Sequence, residues 1–544
     1  SSILIKNGTG TLTLSNQNNT MTGGTFVNAG TLKLATSLSP AIALNNLNGT
    51  LTVAPGATFD MGSNNPTAMI INASGAGVGG NGAIQANYPG NGSAYGPSII
   101  NMTGNLTVGG NNRMDLRNGS KTLNVSSNGY SLTKVGSGYV GLVAATVSTN
   151  LGDITILGGT FSDQTTTTGL GNTNNTIYIG NGGTLSFYQA TVPVMKPIVC
   201  SNGASIRAED YTAAGQNVIA SPVTLVSGTT TLKGNFYKSL CFSNTISGAG
   251  ALTMEFQSYA YLAASNTFTG TLTVPNCNAN NGGLGTRLSF IGNGSATKAN
   301  QIYMQGIVSG QAYAGWIDVL GRPDATLTLA TNQLLRGDNG SYVRGSVVAQ
   351  QGSAIAPGGI NNSNYQYMTI GMSLTFQAGT TNYMDIYKSG SFRTNDVIIV
   401  SNLVTYAGTL QMRTNGLSAI IAGDTFKLFN AGSVSGNFTT IADNSGATWS
   451  FNPATGIATV LTPPPTVVTT PTNITATVSG SVLTLAWPAD HLGWSLQIQT
   501  NTLSVGLVTN AASWVTLPGS SSVTSTNMTI DPANGTVFYR MVYP

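Results

Sequence analysis

The chain of 544 residues is long enough for several ordinary domains, yet only 7% of its residues are charged, against roughly a quarter in a typical soluble domain. Its 20 basic and 16 acidic residues are scattered, and no run of Lys and Arg occurs, which argues against nucleic-acid binding. No stretch of about 18 apolar residues is present, so we expect no membrane-spanning helix. Uncharged Asn, Thr, Ser and Gln must supply the polar surface, and these residues suit exposed faces of β-structure.

Alternation of apolar and polar side chains runs through the chain and predicts β-strands. One phrase recurs, in which small polar residues and Gly precede Gly-Thr-Leu-x-Leu or a close variant. The clearest copies are Gly10–Leu14, Gly30–Leu34, Gly49–Val53, Gly183–Phe187, Gly250–Met254, Gly270–Val274 and Gly408–Met412. The nearest copies lie about 20 residues apart, which is the length of one coil of a solenoid.

Each repeated strand has one apolar face that is too small to be stable alone. Parallel stacking of coil on coil joins these faces into a continuous core and leaves the Thr and Asn side chains in solvent. The Gly before each strand suits a corner with positive φ. The repeats therefore predict an all-β fold, a right-handed parallel β-helix over residues 1–461, about 100 Å long at about 4.8 Å per coil.

The segment from Leu12-Thr13-Leu14-Ser15 to Gly30-Thr31-Leu32 resembles the autotransporter-associated β-strand repeat, whose pattern is L-T-L-S-G-x-N-x-Y-x-G-G-T-x-V-x-x-G-T-L. Residues 124–142 and 246–274 resemble more degenerate copies, and residues 421–432 resemble the segment that closes such passenger solenoids. The resemblance implies a secreted parallel β-helix at the bacterial cell surface. Since residues 462–544 are too few for the membrane barrel of an autotransporter, we expect another export route unless a barrel was cleaved off.

The N-terminal strands carry the predicted self-assembly site. The chain opens with Ser1 and is in strand pattern by Ile3, as in a mature form without its signal peptide, although a trimmed form would look the same. Because no capping helix is visible there, the first strands are expected to leave an open β-edge that pairs head to tail with another copy. The residues assigned to this strand region are Ile3, Leu4, Ile5, Leu12 and Leu14.

A proline cluster marks the clearest domain boundary, and residues 462–472 are predicted to be a stiff, extended linker. Beyond it, short alternating segments predict a small β-sandwich over residues 473–544. Its expected core aromatic residues are Trp487, Trp494, Trp514 and Tyr539. With Leu483-Thr484-Leu485-Ala486-Trp487 as a core strand, this module resembles fibronectin type III and immunoglobulin-like domains.

The sequence predicts no catalytic residue, no cofactor and no metal site. His491 is the sole histidine, and beside Asp490 it is expected to form a solvated loop pair. Glu209 and Asp210 are the one adjacent acidic pair among the candidates for catalysis. Neighbours on a strand point to opposite faces, so these carboxylates would converge only in a turn.

Cys200, Cys241 and Cys277 are too widely spaced for a typical metal site. Residues two coils apart are about 9–10 Å apart, which is too far for a disulfide. We therefore predict buried free thiols, with one disulfide as the alternative if coil lengths vary.

Three functions fit these features. The first is a non-enzymatic extracellular structural protein, either a surface rod or the subunit of a filament that assembles head to tail. The second is an adhesin that binds glycans or cells, which aromatic side chains aligned in one groove would favour. The third is a polysaccharide lyase or hydrolase, which requires carboxylates that converge in a cleft. The uncapped first strands make the first function our expectation.

Overall fold

The computed structural model describes residues 2–15, 23–35, 50–66, 69–88, 93–210, 217–234, 238–277, 285–310, 312–360, 365–416, 419–464 and 468–543. The chain divides into two compact units, one formed by Ser1–Ser418, Thr425–Ala442 and Ser450–Thr459, the other by Ala419–Asp424, Asp443–Trp449 and Val460–Pro544. Nearly all described elements are strands, and the few helices are single 3-10 turns at Val78–Gly80, Ala489–His491, Ala511–Ser513 and Ser520–Ser522. No helix in the described ranges is long and apolar enough to span a membrane.

Three large sheets form the first unit. The strands of sheet 1 are Leu4–Lys6, Thr11–Leu14, Thr25–Val27, Thr31–Leu34, Thr50–Val53, Thr58–Asp60, Ile70–Gly75, Ile84–Ala86, Ile99–Gly110, Thr122–Val125, Leu132–Lys134, Thr146–Val147, Ile154–Ile156, Ile177–Ile179, Ile198–Cys200, Val223–Leu225 and Ile246–Gly248. The strands of sheet 2 are Ser93–Tyr95, Arg113–Leu116, Tyr139–Val143, Gly159–Gln164, Gly183–Tyr188, Ser205–Asp210, Thr229–Gly234, Ala251–Met254, Leu272–Val274, Gln301–Met304, Leu334–Gly337, Ala354–Pro357, Thr381–Ser389, Phe392–Asn395, Thr409–Gly416 and Thr440–Asp443. The strands of sheet 3 are Val218–Ile219, Ser239–Phe242, Tyr259–Leu262, Arg287–Ile291, Trp316–Gly321, Thr326–Leu329, Ser341–Arg344, Ser346–Ala349, Tyr367–Ile370, Leu374–Phe376, Val397–Tyr406 and Phe429–Gly436.

The strands from Leu4–Lys6 to Ile84–Ala86 all belong to sheet 1, whereas in the middle of the unit successive strands pass from sheet to sheet, so that one turn of the chain makes one coil. A representative coil contains Val223–Leu225 in sheet 1, Thr229–Gly234 in sheet 2 and Ser239–Phe242 in sheet 3. The next coil pairs with it in parallel on all three sides, with Val223 beside Ile246 and Ser239 beside Tyr259. The predicted parallel β-solenoid is therefore confirmed. Phe392–Asn395 departs from it, because this strand folds back antiparallel onto Thr381–Ser389 as a hairpin.

The core consists of columns of apolar side chains that repeat from coil to coil. In sheet 2, Phe161, Leu185, Ile206 and Leu232 occupy one register position in four successive strands, and all are buried. A side chain in such a column packs against the coils on both sides as well as across the interior. The two-residue alternation seen in the sequence thus becomes a continuous dry interior.

Glycine is required where the corners of adjacent coils touch. Gly159 has a φ of +62°, and a Cβ built there would lie 2.3 Å from the carbonyl oxygen of Gly138 in the neighbouring coil. Gly30 has a φ of +64°, and its Cβ would lie 2.4 Å from the carbonyl oxygen of Gly10. Both the left-handed backbone and the close backbone approach exclude a side chain.

Buried lysines complete two of the corners. Lys134 is fully buried, and its Nζ donates to the carbonyl oxygens of Val135 at 2.9 Å, Gly136 at 2.9 Å and Gly158 at 3.1 Å. These three acceptors match the three donors of an ammonium group. Lys6 makes the same kind of contact with three corner carbonyl groups. Burial lowers the pKa of Lys134 to about 8. The motif Lys-x-Gly-x-Gly, which occurs at Lys6 and at Lys134, therefore marks a corner of the solenoid. The net charge of the chain did not indicate this role of the lysines.

After the last coils, Thr425–Lys427 pairs antiparallel with Ile457–Thr462, and Thr448–Asn452 is a further strand of this region. The C-terminal residues form two small antiparallel sheets, one of Thr475–Ser479, Val482–Ala486 and Ser525–Thr529, the other of Ser495–Asn501, Val515–Thr516 and Thr536–Val542. Both sheets contribute to one apolar cluster, in which Leu485, Trp487 and Leu496 are buried. This is the arrangement of a β-sandwich, while its relation to fibronectin or immunoglobulin-like domains stays a prediction.

Candidate functional site

One face of sheet 3 carries a group of aromatic and charged side chains, which we call the sheet 3 surface. Its residues are Tyr259, Tyr261, Arg287, Trp316, Asp318, Tyr342 and Arg344. Tyr259, Arg287, Trp316 and Tyr342 share one register position in four successive strands and alternate with buried core residues. They therefore lie side by side on the outer face, about 4.8 Å apart per strand.

The aromatic rings of this column pack against each other and against a guanidinium group. The ring centroids of Trp316 and Tyr342 are 5.1 Å apart, with an interplanar angle of 50°. The guanidinium of Arg287 lies 5.0 Å from the ring centroid of Tyr259. Such tilted and cation–π contacts hold the rings in place while they remain partly exposed.

Asp318 belongs to a second column of this surface, together with Tyr261 and Arg344, and connects it to the aromatic column. Its carboxylate accepts a hydrogen bond from Arg344 at 3.3 Å and lies 3.9 Å from Arg287. The Asp318 side chain is 10% exposed, whereas that of Arg344 is 50% exposed and free to contact a ligand. Aromatic faces bordered by charged donors and acceptors can stack on the apolar face of a sugar ring and hydrogen-bond to its hydroxyl groups.

Sequence reasoning did not identify this surface. The alternation Tyr259-Ala260-Tyr261 is visible in the sequence, but the coils that bring Arg287, Trp316 and Tyr342 beside it differ in length. Without the register, no spacing rule connects these residues.

Sheet 2 carries a charged cluster that contains the acidic pair Glu209-Asp210. A β-bulge displaces the register here, since Phe187 lies opposite Ala208 but Tyr188 lies opposite Asp210. Glu209 accepts a hydrogen bond from Tyr139 Oη at 2.9 Å, and Asp210 pairs with Lys238 at 3.1 Å. The expectation that the two carboxylates point to opposite faces is wrong, because the extra residue of the bulge turns both outward.

Cations neutralise the acidic groups of this cluster. Asp115 contacts Arg113 at 2.8 Å and Arg117 at 3.2 Å, and Arg207 lies 4.0 Å from Glu209. Burial nevertheless raises the pKa of Asp115, an effect that the two arginines oppose. The cluster thus consists of ion pairs on a strand surface, and no group of metal-ligating residues occurs in the ranges that the structure describes.

The predicted self-assembly residues lie in the first described coil. Ile3 and Ile5 are 57% and 55% exposed, and Leu4, Leu12 and Leu14 are half-buried. In the next coil the equivalents of Leu12 and Leu14, Leu32 and Leu34, are fully buried. Leu4–Lys6 pairs with Thr25–Val27 along one edge.

The four predicted core aromatic residues of the C-terminal sandwich occupy different environments. Trp487 belongs to the buried cluster, and Tyr539 packs against it. Trp494 is buried and stacks against His491 and Tyr543. Trp514 lies outside the cluster, half-buried beneath the guanidinium of Arg540 at 4.3 Å.

His491 fixes the end of the linker to the sandwich. Its Nδ1 lies 2.7 Å from a carboxylate oxygen of Asp490, and its Nε2 lies 2.9 Å from the carbonyl oxygen of Thr470. Trp494 Nε1 donates to the carbonyl oxygen of Val468 at 2.8 Å. The expected solvated loop pair is wrong for the histidine, which is 3% exposed because the linker covers it.

Docking of the linker is expected to weaken at high pH. Both ring nitrogens of His491 face acceptors, so the protonated ring satisfies both, and the hydrogen bond to Asp490, then that to Thr470, raises its pKa. Because the folded-state pKa of His491 lies above the unfolded value of about 6.5, protonation of this residue stabilises the fold at pH values below the unfolded value. This stabilisation is lost as the pH rises through the folded-state pKa. NMR titration of His491 should show the raised pKa, and D490N should lower it. An unchanged His491 pKa in that variant would contradict the assignment.

All three cysteines are free thiols, as predicted. Cys200 and Cys277 are buried, whereas Cys241 is half-buried on the outer side of sheet 3. Burial raises the pKa of each thiol, to about 12 for Cys200, so the thiolate form is disfavoured.

Comparison with protein families finds one match, which lies in the first coils of the solenoid. Residues 4–34 match the family described as passenger-associated-transport-repeat, which confirms the resemblance to autotransporter-associated repeats. The match covers residues 4–34, and together with the parallel solenoid it indicates a passenger-like repeat protein. A comparison with curated proteins finds no match to the chain.

Proposed function

We propose that this passenger-like protein is a non-enzymatic extracellular solenoid that binds an acidic polysaccharide along the sheet 3 surface. The observation that carries the proposal is the column of Tyr259, Arg287, Trp316 and Tyr342, with Asp318 and Arg344 beside it. The column extends along the stacking direction of the coils over about 14 Å, so it offers successive contacts to an extended polymer.

Charge favours an acidic polymer over a neutral one. The surface contains two arginines and one aspartate, and Asp318 is shared between Arg287 and Arg344. One guanidinium is therefore left for a carboxylate or sulfate of the ligand, with which it can form bidentate hydrogen bonds. Ring stacking on Trp316 and Tyr342 supplies the affinity that does not depend on salt.

Binding can be tested by titrating the full chain with polygalacturonate oligomers in a calorimeter, with dextran as the uncharged comparison. We expect binding to polygalacturonate that weakens as salt is raised, and weaker binding to dextran. No release of reducing ends is expected on long incubation, because the chain is proposed to lack catalytic activity. Equal binding of both polymers would contradict the charge argument, and no binding of either would contradict the function.

End-to-end assembly is a second candidate, favoured by the exposed Ile3 and Ile5 and the half-buried Leu12 and Leu14 of the first described coil. An apolar edge of this kind is stabilised when another strand pairs with it.

The assembly candidate predicts that the double variant I3E/I5E loses any polymers seen by electron microscopy, because two buried charges would oppose edge pairing. T146E, at an exposed position in an interior coil of sheet 1, serves as the control for added charge. If the unmodified chain sediments as a monomer at high concentration, assembly through this edge is wrong.

A further inference from the structure

One carboxyl group points into the apolar interior of the solenoid. In sheet 2, Asp163 occupies the register position of Leu142 in the coil before it and of Phe187 in the coil after it. The same column includes Leu116 and Ala208, and all four of these neighbours are buried. Asp163 itself is 1% exposed. Because side chains at one register position share a face of the sheet, this carboxyl group lies in the core column.

Neither oxygen atom of the Asp163 side chain has a hydrogen-bond partner in the ranges that the structure describes. Other buried aspartates differ from it. Asp60 accepts from the backbone N–H groups of Gly62 at 3.0 Å and Asn87 at 3.1 Å. A carboxylate that is buried among apolar side chains without such partners is costly, so the neutral, protonated form of Asp163 is favoured.

The titratable side chains of the neighbouring strands face away from Asp163. Tyr139, in Tyr139–Val143, donates its hydroxyl to Glu209 on the outer face of sheet 2. Tyr188, in Gly183–Tyr188, follows the inward Phe187 and therefore lies on the outer face as well. Neither tyrosine is placed to share a proton with Asp163.

Two buried lysines of the same region are also engaged elsewhere. Lys134 and Lys196 donate to backbone carbonyl groups, and no charged group among the described residues offsets a negative charge on Asp163. Burial therefore raises the pKa of Asp163 to about 7, against about 3.9 for Asp in an unfolded chain. The proton that the folded chain retains stabilises it fully below about pH 3.9, and this stabilisation is lost as the pH rises through about 7.

We propose that Asp163 makes the closure of the coils around it depend on a proton. The neutral side chain is accommodated in the apolar column, and these coils stay closed in an acidic medium. Once Asp163 ionises, the carboxylate is stabilised by contact with water, and the coils that contain Tyr139–Val143 and Gly159–Gln164 open locally. The opening stays local because each coil of a solenoid contacts only its neighbours. Asp163 lies in sheet 2, so this inference is independent of the proposed polysaccharide binding to sheet 3.

Hydrogen exchange of the full chain at pH 5 and pH 8 tests the proposal, with peptides that cover residues 139–164 read by mass spectrometry. After correction for the intrinsic pH dependence of exchange, the equilibrium constant for opening of these coils should rise by about a hundredfold between the two pH values. Burial also raises the pKa of Asp385 and Asp396. The peptides distinguish their effects from that of Asp163, because exchange is measured locally.

D163N and D60N form a matched pair of variants for this experiment. D163N keeps the shape of the side chain but cannot ionise, so opening of residues 139–164 should become independent of pH and should be rarer than in the parent chain at pH 8. D60N makes the same change at a buried carboxylate that has N–H partners. It should increase opening around Asp60 and leave the pH response of residues 139–164 as in the parent chain.

An opening constant of the parent chain that is the same at pH 5 and pH 8 would overturn the proposal. So would a pH response in D163N equal to that of the parent chain, because another group would then be responsible. D163L extends the apolar column of Leu142 and Phe187, and it replaces D163N with the same expected result if the amide variant does not fold. W316A removes polysaccharide contacts on sheet 3 and should not alter this exchange, so the two proposals fail independently.

Discussion

W316A is expected to lower the affinity of the chain for polygalacturonate by about tenfold to a hundredfold. Trp316 occupies the middle of the aromatic column, where its ring contacts Tyr342 at 5.1 Å. Removing it takes away the largest stacking surface and frees Tyr342 to move, and a central aromatic residue commonly contributes about 2 kcal/mol or more to binding. One factor of ten in affinity corresponds to about 1.4 kcal/mol.

Two further variants complete this experiment: R344Q separates the contribution of charge from that of ring stacking, and Y178A tests whether binding is confined to the sheet 3 surface. R344Q, which leaves the rings intact, should weaken binding mainly at low salt, because its effect is electrostatic. Y178A removes an exposed aromatic side chain from sheet 1 and should bind like the unmodified chain. If Y178A and W316A lose affinity equally, binding is spread over the solenoid surface and the sheet 3 surface has no special role.

G159A is expected to destabilise the solenoid by about 3 kcal/mol or more. The added Cβ would lie 2.3 Å from the carbonyl oxygen of Gly138, and the residue would keep a φ of +62°. The left-handed conformation costs about 1–2 kcal/mol for a residue with a side chain, and forcing two backbones apart in a packed stack adds about 1–3 kcal/mol.

G182A is the matched control for this prediction. Gly182 has a φ of +76°, but a Cβ there meets nothing within 4 Å. It should therefore cost about 1–2 kcal/mol, the contribution of the backbone conformation alone. Chemical unfolding measures the difference, and hydrogen exchange in Tyr139–Val143 and Gly159–Gln164 locates it, since a solenoid can open coil by coil. Equal losses in the two variants would show that the contact between corners contributes nothing.

Sequence patterns predicted the elements whose chemistry is local. Alternation in Thr31-Leu32-Lys33-Leu34 predicted a strand with its leucines inward, and the structure buries both leucines fully. The glycines before the strands were predicted to form corners with positive φ. Gly30 and Gly408 confirm this, but φ is not positive at the equivalent positions Gly10, Gly183, Gly250 and Gly270. The strand prediction holds because alternation depends only on neighbouring residues, whereas the left-handed glycine lies at different positions within the corners of different coils.

Predictions about side chains that meet across coils were less complete. Coils of unequal length decide that Tyr259 lies beside Arg287, and a bulge decides that Glu209 and Asp210 share a face. Burial of His491 depends on the linker at Thr470, which contacts it across 21 residues. The length of each coil, the position of the bulge and the contact between the linker and His491 are not specified by the repeat pattern.

The amino-acid sequence alone therefore determined the all-β class, the parallel stacking of coils and the passenger-like repeat at residues 4–34. Tertiary structure decided which outward side chains form surfaces, namely the column around Trp316 on sheet 3. The physical reason is that inward positions obey a short period imposed by the core. Outward positions become neighbours only through the register between coils, which the irregular loops set.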